Sequence, residues 1–200
     1  MSRESVLQRV RKGLGRTPGQ AVPTPPDVML LPTVMTVEQR TASFQEALQR
    51  LNGKFLEAAS RQEAHEYVAA IAAGKRTIAS NSEVLRSTGI SQLADAAVAI
   101  GDADVGITGA DYGLADTGTL VMLASPQEQR LVSLLPPVHV AILLRERLLT
   151  SLDELLTILP KPAEQTSSMV LITGPSRTGD IEQILVRGVH GPGTIHVVVI

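Results

Sequence analysis

The residues best suited to chemistry in this chain gather in three glycine-rich stretches. The first, T-G-A-D-Y-G-L-A-D-T-G-T at residues 108–119, sets Asp111 and Asp116 among Gly109, Gly113 and Gly118. Glycine lets a backbone approach a ligand closely. Gly109, Asp111, Thr117, Gly118 and Thr119 are therefore candidate ligand contacts, and Asp116 is a candidate acid, base or orienting carboxylate. The two aspartates lie five positions apart, which is about 140° around the axis if the segment is helical, so they do not form an adjacent carboxylate pair. The same residues also suit a purely structural role, with aspartates capping turns and glycines permitting a tight crossover.

The second stretch, G-P-S-R-T-G-D-I-E at residues 174–182, offers small side chains and free amides at Gly174, Ser176 and Thr178. Arg177 adds a fixed positive charge that matches a carboxylate or phosphate. Asp180 and Glu182 are placed to orient Arg177 or to move protons. The spacing is neither that of a P-loop nor G-x-G-x-x-G, and a strand-to-helix turn capped by Asp180 is the alternative. The third stretch, G-V-H-G-P-G at 188–193, isolates His190, which titrates near neutrality and is a candidate acid or base. His139 and His196 lie inside apolar runs and read as core residues, whereas His65 reads as an exposed helical one. No metal-ligand spacing such as H-E-x-x-H occurs, and no protein-bound metal is expected.

Composition narrows the function classes. The chain has no cysteine, so it cannot form a disulfide or ligate an ordinary iron–sulfur cluster, and no cofactor is expected on this chain alone. A net charge of -2 and 2% aromatic residues give no footprint for nucleic acid. No run approaches the roughly 18 apolar residues that span a bilayer. The basic N-terminus lacks the apolar stretch of a secretory signal, and a cytoplasmic location is expected.

The elements that must position these loops follow from pattern. Residues 2–14 predict a short helix carrying Arg3, Arg9, Arg11 and Lys12. Pro18, Pro23, Pro25, Pro26 and Pro32 then predict an extended linker, giving a division into 1–35 and a main domain over 36–200. Capping boxes at Thr36/Gln39 and Ser60/Glu63 open two helices, and Asn52-Gly53 closes the first. Strands are expected at Phe55–Ala58, Thr77–Ala79, Val105–Thr108, Thr119–Leu123, Val138–Leu144, Val170–Thr173 and Ile195–Ile200, and further helices at Ser91–Ala97 and Leu152–Leu159. Unbroken apolar runs such as M-V-L-I-T and I-H-V-V-V-I fit strands covered on both faces. The alternation predicts a three-layer α/β fold on a mostly parallel sheet, whose carboxyl edge is where ligands bind.

These motifs carry a resemblance. G-I-T-G-A-D-Y-G-L-A-D-T-G-T-L-V, T-G-P-S-R-T-G-D-I-E and G-V-H-G-P-G, with the opening S-R-E-S-V-L-Q-R-V-R-K-G-L-G-R, resemble the LUD-domain family and within it the lactate-utilization protein C group. The departures are Gly179, where the family pattern has Ala, and Gly193. The resemblance implies a Rossmann-like sheet of the sugar-phosphate isomerase and CoA-transferase type. It implies a role in bacterial L-lactate oxidation to pyruvate beside iron–sulfur partner subunits, as a non-redox component that binds a small anionic metabolite. The alternative is a stand-alone enzyme acting on a small phosphorylated or CoA-linked metabolite.

Overall fold

A computed structural model describes residues 2–17, 19–21, 35–179, 185–188 and 190–200. The chain divides into two compact units, Met1–Pro32 and Thr33–Ile200. The first holds α1 (Arg3–Gly13), whose start is capped by the Ser2 hydroxyl accepting the Ser5 amide and which buries none of its residues.

The second unit is built on five parallel strands in the order β1-β11-β6-β3-β2. These are β1 (Lys54–Glu57), β2 (Thr77–Ala79), β3 (Val105–Ala110), β6 (Val138–Leu143) and β11 (Thr194–Val199). Alternate residues of a strand point to opposite faces, and here they sort into two cores. Ala141, Leu143, Ile195, Val197 and Val199 meet Phe44 and Leu48 of α2 (Val37–Arg50). Val105, Ile107, Val140, Ile142 and Val198 meet Ala64 and Val68 of α3 (Arg61–Ala72), Leu85 of α4 (Glu83–Ser87) and Ile90. The central three-layer α/β architecture and its parallel sheet match the sequence expectation.

Thr119–Leu123 and Val170–Thr173, expected among the strands of that sheet, lie apart from it. β4 (Tyr112–Leu114), β5 (Thr119–Leu123), β7 (Leu148–Leu149) and β8 (Met169–Ile172) form a second sheet, ordered β7-β4-β5-β8. A four-residue connection joins β4 to β5, so the two can pair only antiparallel. Burial on both faces, the feature that suggested a parallel sheet, has another cause here. Leu120 packs toward α2, while Val121 packs on Leu155 and Leu159 at α6 (Leu152–Ile158). Leu171 in β8 is exposed, as an outer strand allows.

Local signals hold with small shifts. Thr36 and Gln39 form the full capping box. Ser60 caps the Glu63 amide, but the Glu63 carboxylate accepts the Ala59 amide instead of closing on Ser60. Asn52 takes the left-handed conformation that ends α2, at φ 64°. The helix expected over Ser91–Ala97 reduces to one 3-10 turn, Ile90–Leu93. The Asp95 amide bonds Thr77 O at 2.9 Å, which draws that segment along β2 and breaks the helical register. A two-stranded ribbon of β9 (Arg177–Gly179) and β10 (Leu185–Arg187) stands apart from both sheets, and α5 (Arg130–Leu134) leads into β6.

Candidate functional site

The carboxyl ends of β2 and β3 lie side by side, and the segment after β5 returns to them. Gly109 is the next-to-last residue of β3, Ser80 follows β2, and Glu128 comes from the returning segment. The Glu128 Oε1 accepts the Gly109 amide at 2.7 Å and the Ser80 hydroxyl at 2.6 Å. Glu128 is only 8% exposed, and its Oε2 is buried without a hydrogen-bond partner. Ser125 steadies the segment, since its hydroxyl and carbonyl both accept the Glu128 amide. Gly109 leaves no room for a side chain, because a Cβ there would stand 2.8 Å from Ser82 Oγ and 2.9 Å from Val84.

Burial pushes the Glu128 carboxyl up to about 7, against the Ser80 and Gly109 hydrogen bonds that favour its ionised form, and the charge of Asp111 pushes the same way as burial. Burial also raises Asp111, whose Oδ2 accepts the Leu123 amide at 2.6 Å and feels Arg147. A carboxyl that titrates near neutrality at the ligand-binding edge of a parallel sheet is equipped to give or take a proton. Among the described residues no group of three His, Asp or Glu converges as a metal site would require.

The residues singled out from sequence fall into separate places. Gly109 and Asp111 belong to the Glu128 cluster. Asp116 is exposed beyond β4, with its amide on Thr150 O and its carboxylate accepting the Thr117 hydroxyl at 3.2 Å. Thr119 bonds both Thr117 and Thr173, the residue just before the second glycine-rich stretch, through hydroxyls at 2.8 Å, so the two stretches approach each other. They meet on the C-terminal end of α2. Gly118, at φ +64°, lies against Leu48, and Gly174, at φ +80°, lies against Leu51. Arg177 is exposed and donates to the Leu51 carbonyl, a cation at a helix C-terminus where the dipole favours it.

Ser176 joins the second stretch to the third through its backbone, its amide on Pro192 O and its carbonyl accepting from Gly188. His190 is exposed. Thr178 pairs with Val186 in the ribbon, while Asp180 and Glu182 lie outside the described residues. His139 and His196 are buried, as their apolar surroundings suggested, and bond Thr108 and Tyr67 at 2.8 Å. Burial pulls each of them down to about 4.

Residues 94–200 match the LUD domain. That stretch is more than half of the chain and holds Gly109, Asp111 and Glu128. The chain belongs to the LUD-domain family. It is 43% identical over 94 residues to Lactate utilization protein C of Halalkalibacterium halodurans, covering 45% of this chain and 41% of that protein. It is 37% identical over 102 residues to Lactate utilization protein C of an Exiguobacterium species, covering 49% of this chain and 44% of that protein. An uncharacterized protein of Neisseria meningitidis serogroup B is 38% identical over 91 residues, with 44% of this chain and 39% of that protein covered. The similarity thus spans about two fifths of the length of these curated relatives.

Among solved structures, a DUF162-family protein from Deinococcus radiodurans superposes with a TM-score of 0.60 at 15% identity, over 83% of this chain and 99% of that one. This likeness shows the α/β fold. Within this LUD domain Glu128 carries no signal in the sequence, because S-P-Q-E-Q-R reads as an ordinary polar loop. Ser80 escaped as well, since a lone serine after a short strand carries no signal, and it lies ahead of the matched stretch.

Proposed function

We propose that this chain is a cysteine-free component of a bacterial L-lactate utilization system, in which L-lactate is oxidised to pyruvate together with iron–sulfur partner subunits. The observation that carries the reading is the similarity to several proteins named Lactate utilization protein C, at 37–43% identity in the LUD domain. The physical case for partners is simple. Oxidising a hydroxy acid releases two electrons, and these 200 residues hold no thiolate to ligate a cluster that would accept them. In this division of labour the chain contributes a small-anion site and proton chemistry, and the partners carry the electrons. Among the described residues no helix is long and apolar enough to cross a membrane.

The test is genetic and biochemical together. Deleting the gene in its native cell should abolish growth on L-lactate while leaving growth on pyruvate intact. An affinity-tagged copy should retain cysteine-rich, iron-containing proteins on purification. Undiminished growth of the deletion strain on L-lactate would falsify the proposed function.

A further inference from the structure

The second sheet ends on an open strand. In the order β7-β4-β5-β8, β8 pairs with β5 alone. The Ala124 amide donates to the Ser168 carbonyl at 2.9 Å, one step beyond the pairing of Leu123 with Met169. Opposed residues of an antiparallel pair alternate between bonded and unbonded partners. Val170 is therefore bonded to Met122, whereas the amides and carbonyls of Met169 and Leu171 point away from β5. Leu123 agrees, since its amide turns from β8 toward Asp111 Oδ2. Among the described residues nothing pairs with the outward row of β8.

Two features set this edge apart. Open edges are ordinarily guarded by charge or proline, yet residues 166–174, T-S-S-M-V-L-I-T-G, contain neither. The edge also borders exposed apolar surface. Leu171 shares a face with Val121, its partner in β5, and α6 covers that face through Leu155 and Leu159. Leu171 is 42% exposed, and α6 leaves Leu152, Leu156 and Ile158 exposed as well. These are four of the seven large apolar side chains that the described part of the Thr33–Ile200 unit exposes, so apolar surface is concentrated where the backbone is unpaired.

We infer that β8 joins two copies of this chain, pairing antiparallel with its counterpart about a two-fold axis at Val170. Self-complementarity is what selects a second copy as the occupant. A two-fold contact sets residue i against j and j against i, and about Val170 it sets Met169 against Leu171 of the partner subunit. Both residues turn their amides and carbonyls outward, so four hydrogen bonds close. An axis at Leu171 closes two, and an axis between residues sets outward groups against inward ones. Like charges directly opposed destabilise a strand pair, and an uncharged strand meets its own copy without that cost. The two four-stranded sheets become one sheet of eight strands. A stable dimer buries about 800 Å² on each partner, and the exposed side chains of α6 add to what the strand edge provides. The inference does not depend on the proposed function.

Sedimentation velocity on the full chain at micromolar concentration should give twice the mass of one chain. Leu171→Lys puts a charge on the edge and should raise the dissociation constant at least about tenfold. Leu171 is already exposed in the single chain, so the variant should still fold, which circular dichroism checks. Leu135→Lys alters a leucine exposed on α5, which packs on β3 and β6, and should stay dimeric. Cross-linking then reads the register. The chain has no cysteine, so a single introduced thiol can bridge only to its own copy. In Val170→Cys the two positions face each other across the axis at about 4.5 Å between Cα atoms, within disulfide reach. A mild oxidant should convert this variant to a covalent dimer. In Leu171→Cys the two positions are roughly 8 Å apart, and cross-linking should be far weaker. A monomer at every concentration overturns the inference. So does a Leu171→Lys dimer as tight as the parent, or equal cross-linking from the two cysteine variants. If Leu171→Lys fails to fold, the mass of the parent and the cysteine pair decide.

Discussion

Gly118 shows how a residue can look catalytic and act as a spacer. Its φ of +64° lies in the region where a side chain is strained, and a Cβ would stand 2.5 Å from the Leu48 amide nitrogen. A backbone atom cannot swing aside as the end of a side chain can. Gly118→Ala should therefore cost about 2 kcal/mol or more, lowering the melting temperature by roughly 4–8 °C in a protein of this size. Gly101→Ala, with nothing within 4 Å of its Cβ, should leave it nearly unchanged, and equal losses at the two positions would refute the close approach. Glu128 makes a second prediction at this scale. Its folded pKa, about 7, lies above the ordinary 4.5, so the folded state holds its proton more tightly than the unfolded one. Stability from this group is full below pH 4.5 and is lost as pH rises through 7, by about 3 kcal/mol in total. His139 works the other way, being lowered from 6.5 to about 4, so its burial costs stability as pH falls from 6.5 toward 4. Glu128→Gln removes the first slope and keeps the second. The variant's melting temperature should exceed the parent's by a margin that widens from pH 5 to pH 8, and a constant margin would mean that Glu128 ionises normally.

At the scale of elements, what the sequence made readable was whatever local chemistry controls. Thr36 with Gln39, Ser60 with Glu63, and Asn52 each terminate a helix through bonds spanning three or four residues, and all three were visible in the pattern. Two things depended on distant partners and were not visible. Val121 looks like a strand residue covered on both faces in either sheet, so the second sheet was hidden in an apolar run. Glu128 looks like any loop acid until Ser80, 48 residues away, closes over it. Of the residues singled out from sequence, Gly109 and Asp111 lie beside Glu128, and glycine and aspartate at a strand end stand out in a sequence, whereas the serine and glutamate next to them do not. The N-terminal helix supplies this scale's prediction. α1 buries none of its residues, and Val6, Val10 and Leu14 are exposed along it. Deleting residues 1–30 should leave the melting temperature of the remaining chain within about 2 °C of the parent, the shift expected for the loss of surface contacts alone. A collapse of the melting transition would show that α1 belongs to the folded core.

At the scale of the whole molecule, the order β1-β11-β6-β3-β2 puts the latest strand of the central sheet inside it. Lys54 of β1 lies opposite His196 of β11, so the first strand of the sheet has no neighbour until a segment some 140 residues later arrives. β2, β3 and β6 can assemble earlier, since they span a shorter stretch of chain and pair with one another directly. The fold is therefore completed by insertion rather than by growth at an edge. Contacts closed over so long a stretch carry a large loop entropy and slow the search. Phe44 and Leu48 of α2 can meet Leu120, Ala141, Leu143 and Leu148 earlier, but their cover is complete only when Ile195, Val197 and Val199 join the same cluster. The apolar run that makes β11 a good central strand is thus also the segment that closes this core, and a chain lacking it would leave apolar surface exposed.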